Sequence, residues 1–112
     1  MRRLVLGAAS DLALNSARAV ERDGRSFLLC RTADGIFALD NRCTHQDSPL
    51  AEGRLRGNFI FCPLHGVRFD LRNGMPAGTL TTKPVRTYPV TLAGDAIEIS
   101  VDDDPSPSRA IF

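Results

Sequence analysis

The chain is poor in several things at once. It has no tryptophan and one tyrosine, Tyr88, among 112 residues, so it lacks the aromatic platforms on which nucleic-acid bases stack. Its formal charge is +1 at pH 7, which gives no electrostatic reason for a polyphosphate partner. No apolar run approaches the length that a membrane-spanning helix needs. There are only two histidines and three cysteines. A small, odd number of cysteines argues against a disulfide framework and for metal binding or catalysis in a reducing compartment. The opening MRRLVLGAASDLAL sets two arginines before an apolar stretch in the manner of a secretion signal, but Asp11 cuts the run short and no clean cleavage site follows. It reads as the first strand of the domain, and a cytoplasmic location is expected.

What the chain does have is short apolar runs separated by turn residues. RLVLG, ARAVER, SFLLCRT and GIFALD read as strands, with Asp23-Gly24 and Asp34-Gly35 as the turns between the last three. SDLAL is expected to make one helical turn capped by Ser10, and no long helix is expected anywhere. VRTYPVTLAG and DAIEISV predict a late hairpin around Gly94-Asp95, with Val90, Leu92, Ile97, Ile99 and Val101 on its inner face. Both ends of the chain therefore point to one all-β body, with a loop-rich segment inserted between residues 41 and 83. No linker long enough to divide the chain is visible, so a single domain over residues 1–112 is expected. The end of the chain from residue 102, DDDPSPSRAIF, has the composition of a solvated tail.

Both histidines and two of the three cysteines fall in the loop-rich middle. Cys43 and His45 sit two apart in CTH, Cys62 and His65 three apart in CPLHG, with sixteen residues between the clips. Pro63 and Gly66 bracket the second histidine, and Pro49 and Gly53 limit the first loop. Thiolate and imidazole are the donors that intermediate-to-soft metals select, so two such clips make a metal site the leading reading. Zinc accepts this donor set, but its usual arrangement pairs Cys with Cys and His with His on one element. Here each element offers one of each, an order that suits a two-iron cluster. Cys30, inside the apolar run SFLLCRT, reads as a small buried hydrophobe.

The two clips, with DGIFALDNRCTH before the first and FDLRNG after the second, resemble the Rieske ferredoxins, and the resemblance spans most of the chain. It implies two antiparallel sheets as a sandwich base carrying a smaller loop-rich cluster-binding subdomain, here residues 41–83. It implies one Rieske-type 2Fe-2S cluster with Cys43 and Cys62 on one iron and His45 and His65 on the other. Backbone N–H groups around Thr44, Gln46, Leu64 and Gly66 are then expected to point at cluster sulfur, and Leu64 and Pro49 to shield it. The cytochrome bc-type branch adds a disulfide across the two loops and hydroxyl side chains near the cluster. The matching positions here are Ser48 and Leu64 for the disulfide, and Val67 and Phe69 for the hydroxyls. Without those donors the potential should lie at the low end of the Rieske span, on the order of −150 mV. Where many members carry a Gly-Pro pair in a third loop, this chain has Gly78-Thr79.

The expected role is that of a free-standing, monomeric one-electron carrier with no catalytic residues of its own. Its expected partners are a flavin-containing NAD(P)H reductase and the terminal oxygenase of a bacterial aromatic-ring-hydroxylating system. There is no room for a mononuclear-iron domain, and both histidines are already used. The small Rieske subunit of an assimilatory nitrite reductase and, in a different class, a zinc-bound structural module are the alternatives. Between Asn41 and Arg86, Arg42, Arg54, Arg56, Arg68, Arg72, Lys83 and Arg86 outnumber Asp47, Glu52 and Asp70. A basic cluster end, an acidic opposite part and acidic docking partners are expected from that imbalance.

Overall fold

The computed structural model describes residues 2–43, 49–63, 67–77, 81 and 83–101. Eleven short strands run in order: β1 (Arg2–Ala8), β2 (Ser16–Arg22), β3 (Arg25–Thr32), β4 (Gly35–Asp40), β5 (Arg54–Arg56), β6 (Phe59–Phe61), β7 (Arg68–Asp70), β8 (Pro76–Ala77), β9 (Thr87–Tyr88), β10 (Val90–Ala93) and β11 (Ala96–Val101). They form three antiparallel sheets, ordered β1-β11-β10, β2-β3-β4-β9 and β5-β6-β7-β8. Two single 3-10 turns, Ala9–Asp11 and Leu50–Glu52, are the helical elements among the described residues.

The strands form along the short apolar runs, and the hairpins close where turn residues permit. Arg22 pairs with Arg25, leaving Asp23 and Gly24 as a two-residue turn at φ of 56° and 73°. Positive φ at both positions is what a tight hairpin twisted like its strands demands. The next turn is displaced by one residue from the expected Asp34-Gly35. Thr32 pairs with Gly35, so Ala33 and Asp34 form the turn and Gly35 begins β4. Thr32 fixes it by accepting the Asp34 N–H at 3.1 Å and donating its hydroxyl to the Asn58 side chain at 2.8 Å. That second bond ties this turn to the one between β5 and β6.

The β2-β3-β4-β9 sheet lies between the other two, and its alternate side chains feed two separate cores. Phe27, Leu29 and Ala38 join Leu4, Leu6, Ile97, Ile99, Val101 and Tyr88 on one side. Leu28, Cys30 and Leu39 face the other way, toward Leu50, Ile60, Phe69, Leu71 and Val85. A strand buried on both faces reads as a continuous apolar run, which is why FLLC shows no alternation.

Three local expectations are corrected. Ser10 does not cap a helix: Ala8 holds the cap position without a side-chain bond, and Ser10 gives its N–H (2.9 Å) and hydroxyl (2.6 Å) to the Asp95 carboxylate. The stretch VRTYPVTLAG is not one strand, because Pro89 divides it. β9 pairs with β4 and β10 with β11, and proline has no N–H with which to carry a ladder across the junction. Leu92 is 51% exposed although its partner Ile97 is buried. β10 is an edge strand, and Leu92 borders an open groove with Leu14, Ile36 and Val90 instead of meeting a facing sheet.

Candidate metal centre

The first loop leaves β4 through Asn41 and Arg42 and reaches Cys43, which is only 2% exposed. Asn41 ties down both ends of this loop. Its N–H donates to the Ser26 carbonyl at 3.1 Å, and its side-chain amide donates to the Ser26 hydroxyl at 3.0 Å. Its side-chain oxygen accepts the Ala51 N–H at 2.8 Å, drawing the exit of the loop back to its entrance. Leu50, fully buried, anchors the exit in the core, whereas Pro49 is exposed.

The second loop opens at the end of β6. The Cys62 N–H donates to the Val67 carbonyl at 2.6 Å, tying the residue after β6 to the residue before β7. Cys62 is 2% exposed. The two loops touch through Gly53. A Cβ placed there would stand 1.8 Å from the Phe61 carbonyl oxygen, inside any van der Waals limit. Only a residue without a side chain lets the exit of the first loop lie against the residue preceding Cys62.

Cys43, Cys62 and Cys30 belong to one buried cluster, and none is in a disulfide. Cys30 differs from the other two in its setting. It is wholly buried within β3, and burial pushes its thiol up to about 12, so it stays protonated. The three do not converge as a metal-binding group. That bears out the reading of Cys30 as a small core hydrophobe. Cys43 and Cys62 instead stand at the mouths of two adjoining loops, unbridged, in an apolar layer that excludes water. Two such thiols are a suitable half-set for a soft iron–sulfur group. His45, His65, Thr44, Gln46, Leu64 and Gly66 lie outside the described residues, as do Ser48, Gly78-Thr79 and the tail from residue 102.

Val67 (4% exposed) and Phe69 (0%) belong to the same buried cluster as the two cysteines and bring hydrocarbon there. Beneath the first loop, a polar knot fixes the end of β4. The Tyr88 hydroxyl donates to Asp40 and accepts from Arg25 at 2.7 Å. Arg25 and Arg86 stand over the Tyr88 ring at 5.7 and 5.1 Å. Burial, and then the Asp40 carboxylate, raise the Tyr88 hydroxyl well above its ordinary range, so it remains a donor. Sequence reasoning missed this knot, and it missed Asn41. The partners of both are distant in sequence and no local pattern marks them.

The charge expectation divides. Arg42, Arg54, Arg56, Arg68, Arg72, Lys83 and Arg86 are all exposed. In the opposite part β11 lies beside the arginines of β1, with Arg3 paired to Glu98 at 3.4 Å. Asp102, Asp103 and Asp104, on which the acidic expectation also rests, lie outside the described residues. Among the described residues no helix is long and apolar enough to cross a membrane.

Known proteins agree with this geometry. The profile of the Rieske [2Fe-2S] domain matches residues 2–89. Ferredoxin CarAc of Metapseudomonas resinovorans is 39% identical over 84 residues, covering 74% of this chain and 78% of its own. The ferredoxin of carbazole 1,9a-dioxygenase from Nocardioides aromaticivorans superposes with a TM-score of 0.84 at 29% identity, over 91% of this chain and 100% of that one. A chain from a complex of reduced oxygenase and oxidized ferredoxin in carbazole 1,9a-dioxygenase gives 0.82 at 33% identity, covering 88% of this chain and 92% of its own. Metal chemistry, fold and kinship converge on one assignment, which also removes the zinc module from consideration: the chain belongs to the Rieske [2Fe-2S] family, carries a Rieske 2Fe-2S cluster, and is similar to the ferredoxin components of aromatic-ring dioxygenase systems.

Proposed function

We propose that this protein is a low-potential one-electron carrier, accepting electrons from a flavin-dependent NAD(P)H reductase and delivering them to a Rieske non-haem iron ring-hydroxylating oxygenase. In this reading Cys43 and Cys62 hold one iron while His45 and His65 hold the other. The observation that carries it is that Cys43 and Cys62, both buried and in no disulfide, belong to one apolar cluster, with their two loops in contact at Gly53. When bound, such a cluster takes up and releases one electron at a potential set by its protein surroundings.

The chain's own residues set those surroundings. Asn41 and the Cys62–Val67 bond fix the two loops, so that little rearrangement accompanies a change of charge. Val67 and Phe69 have no side-chain donor to offer sulfur. The reduced, more negative state is then stabilised less, and the potential falls toward the low end of the Rieske span, on the order of −150 mV. His45 and His65 are the proposed electron exit. The solved complex of reduced oxygenase and oxidized ferredoxin in carbazole 1,9a-dioxygenase supports the oxygenase as acceptor.

The test is reconstitution. NADH with a flavin-containing ferredoxin reductase should bleach the oxidised protein, and the oxygenase of a carbazole 1,9a-dioxygenase should restore the colour in single-turnover mixing. A reduced protein that this oxygenase and the oxygenase of a naphthalene 1,2-dioxygenase system both leave reduced would overturn the assignment.

A further inference from the structure

The register of the β5-β6-β7 sheet sorts its residues by face. Leu55, Ile60 and Phe69 pair across the inner face and enter the core around Cys62. The outer face therefore carries two cross-strand rows: Arg54 opposite Phe61 opposite Arg68, and Arg56 opposite Phe59 opposite Asp70. The three arginines are exposed and the two phenylalanines are half-buried. Arg68 stands over the Phe59 ring at 5.6 Å. Among the described residues, neither the Arg54 nor the Arg56 side chain has an ionic or hydrogen-bonding partner. The one carboxylate on the face, Asp70, is already taken up by Arg72, which grips it with N–H bonds of 2.9 and 2.8 Å. Glu52 stands at the border, where an open pocket of about 420 Å³ runs past Gly53, Arg54, Phe61 and Pro63 to Cys62 itself.

We propose that this outer face, with Arg54, Arg56 and Arg68 around Phe59 and Phe61, is a docking surface for a carboxylate-rich face of the electron-accepting protein. The proposal rests on the electron-carrier reading above and adds to it where, and on what chemistry, the acceptor sits. Three arginines that make no ion pair among the described residues, set around half-covered aromatic rings, are what a protein interface selects, since arginine and aromatic residues are enriched at contact centres. Acidic side chains opposite would satisfy the guanidinium groups and steer the approach. Because the face borders Cys62, a partner held there lies beside the metal centre. A nucleic acid would present a similar negative charge, but a chain of net charge +1 offers it no extended basic field.

The experiment follows binding of a fluorescein-labelled decaglutamate peptide to the purified holoprotein at low salt by anisotropy. The face variant R54E/R56E/R68E and the milder R54Q/R56Q/R68Q are compared with R3E/R18E/R22E, whose net charge change equals that of the first. Binding should weaken on the order of tenfold or more in the first variant and by a smaller factor in the second. It should change less than about threefold in the control. Equal losses in face and control variants would show a net-charge effect and overturn the proposal. So would failure of the unmodified protein to bind, or tighter binding of a single-stranded oligonucleotide of equal charge. The visible spectrum of each variant reports whether the cluster is intact. A failure of the carrier reading appears separately, as a reduced protein that no oxygenase reoxidises.

Discussion

The two faces of the central sheet are built from the same strands but joined to the rest of the molecule in different ways. Toward β1, β10 and β11, Phe27, Leu29 and Ala38 meet other hydrocarbon, and the layer is closed by antiparallel ladders. Toward β5–β8, Leu28, Cys30 and Leu39 meet a layer that includes Cys43 and Cys62 and is closed by loops. The first face needs only area and register. The second depends on single devices: a glycine against a carbonyl, an asparagine spanning a loop, one backbone bond across a turn. Stability is spread over many residues on one side, and function rests on a few on the other.

The sharpest way to break the contrast is to exchange cysteines within the one buried layer. On the proposed ligation, Cys43→Ser or Cys62→Ser should abolish the visible absorption of the purified protein completely, because an iron would lose its thiolate. Next in size is Gly53→Ala. Its Cβ cannot coexist with the Phe61 carbonyl, so the loops must part at a cost of about 3 kcal/mol, read as a lower denaturation midpoint together with loss of cluster on purification. Asn41→Ala removes the acceptor of the Ala51 N–H and the donor to Ser26. About 1–3 kcal/mol of stability should go with it, along with faster bleaching of the oxidised cluster in air.

Cys30→Ala should be milder. It keeps the chromophore and costs roughly 1–2 kcal/mol for the small cavity. It also tests the protonation state. A thiol held up to about 12 against an ordinary 9.0 stabilises the fold fully below pH 9.0 and loses that contribution as pH rises toward 12. The native protein should therefore weaken over that range more than the Cys30→Ala variant, in denaturant titrations at stepped pH. Smallest is Phe69→Tyr, which offers a hydroxyl within the layer of the ligands. One hydrogen bond of about 1 kcal/mol to sulfur in the reduced state would raise a one-electron potential by roughly 40 mV, measured by redox titration.

Much of the body was legible because its signals are local. Short apolar runs between turn residues placed β1–β4 and β11 to within one or two residues, and Asp-Gly and Gly-Asp marked or nearly marked three hairpins. What was misread depended on distant residues. Asp95 captures Ser10 from across the chain, the partners of β9 and β10 change at Pro89 from β4 to β11, and Leu92 is exposed because no described sheet covers it. The candidate site divides in the same way. Spacing alone singled out Cys43 and Cys62, which the fold does bring into one layer, and set Cys30 apart from them. Gly53 was legible only as a limit of the first loop and Asn41 not at all, since what each does depends on Phe61, Ser26 and Ala51. The face of β5–β7 likewise emerges only once register has placed Arg54 and Arg68 on either side of Phe61.

The central claim is that Cys43 and Cys62, with His45 and His65, hold a Rieske cluster. Its most direct test is low-temperature EPR of the purified protein reduced with dithionite, alongside its visible spectrum before reduction. The account predicts a red-brown oxidised form and a reduced signal whose average g lies below the free-electron value, as two-nitrogen, two-sulfur ligation requires. A colourless protein that contains zinc, or a reduced signal typical of four-cysteine ligation, would contradict it.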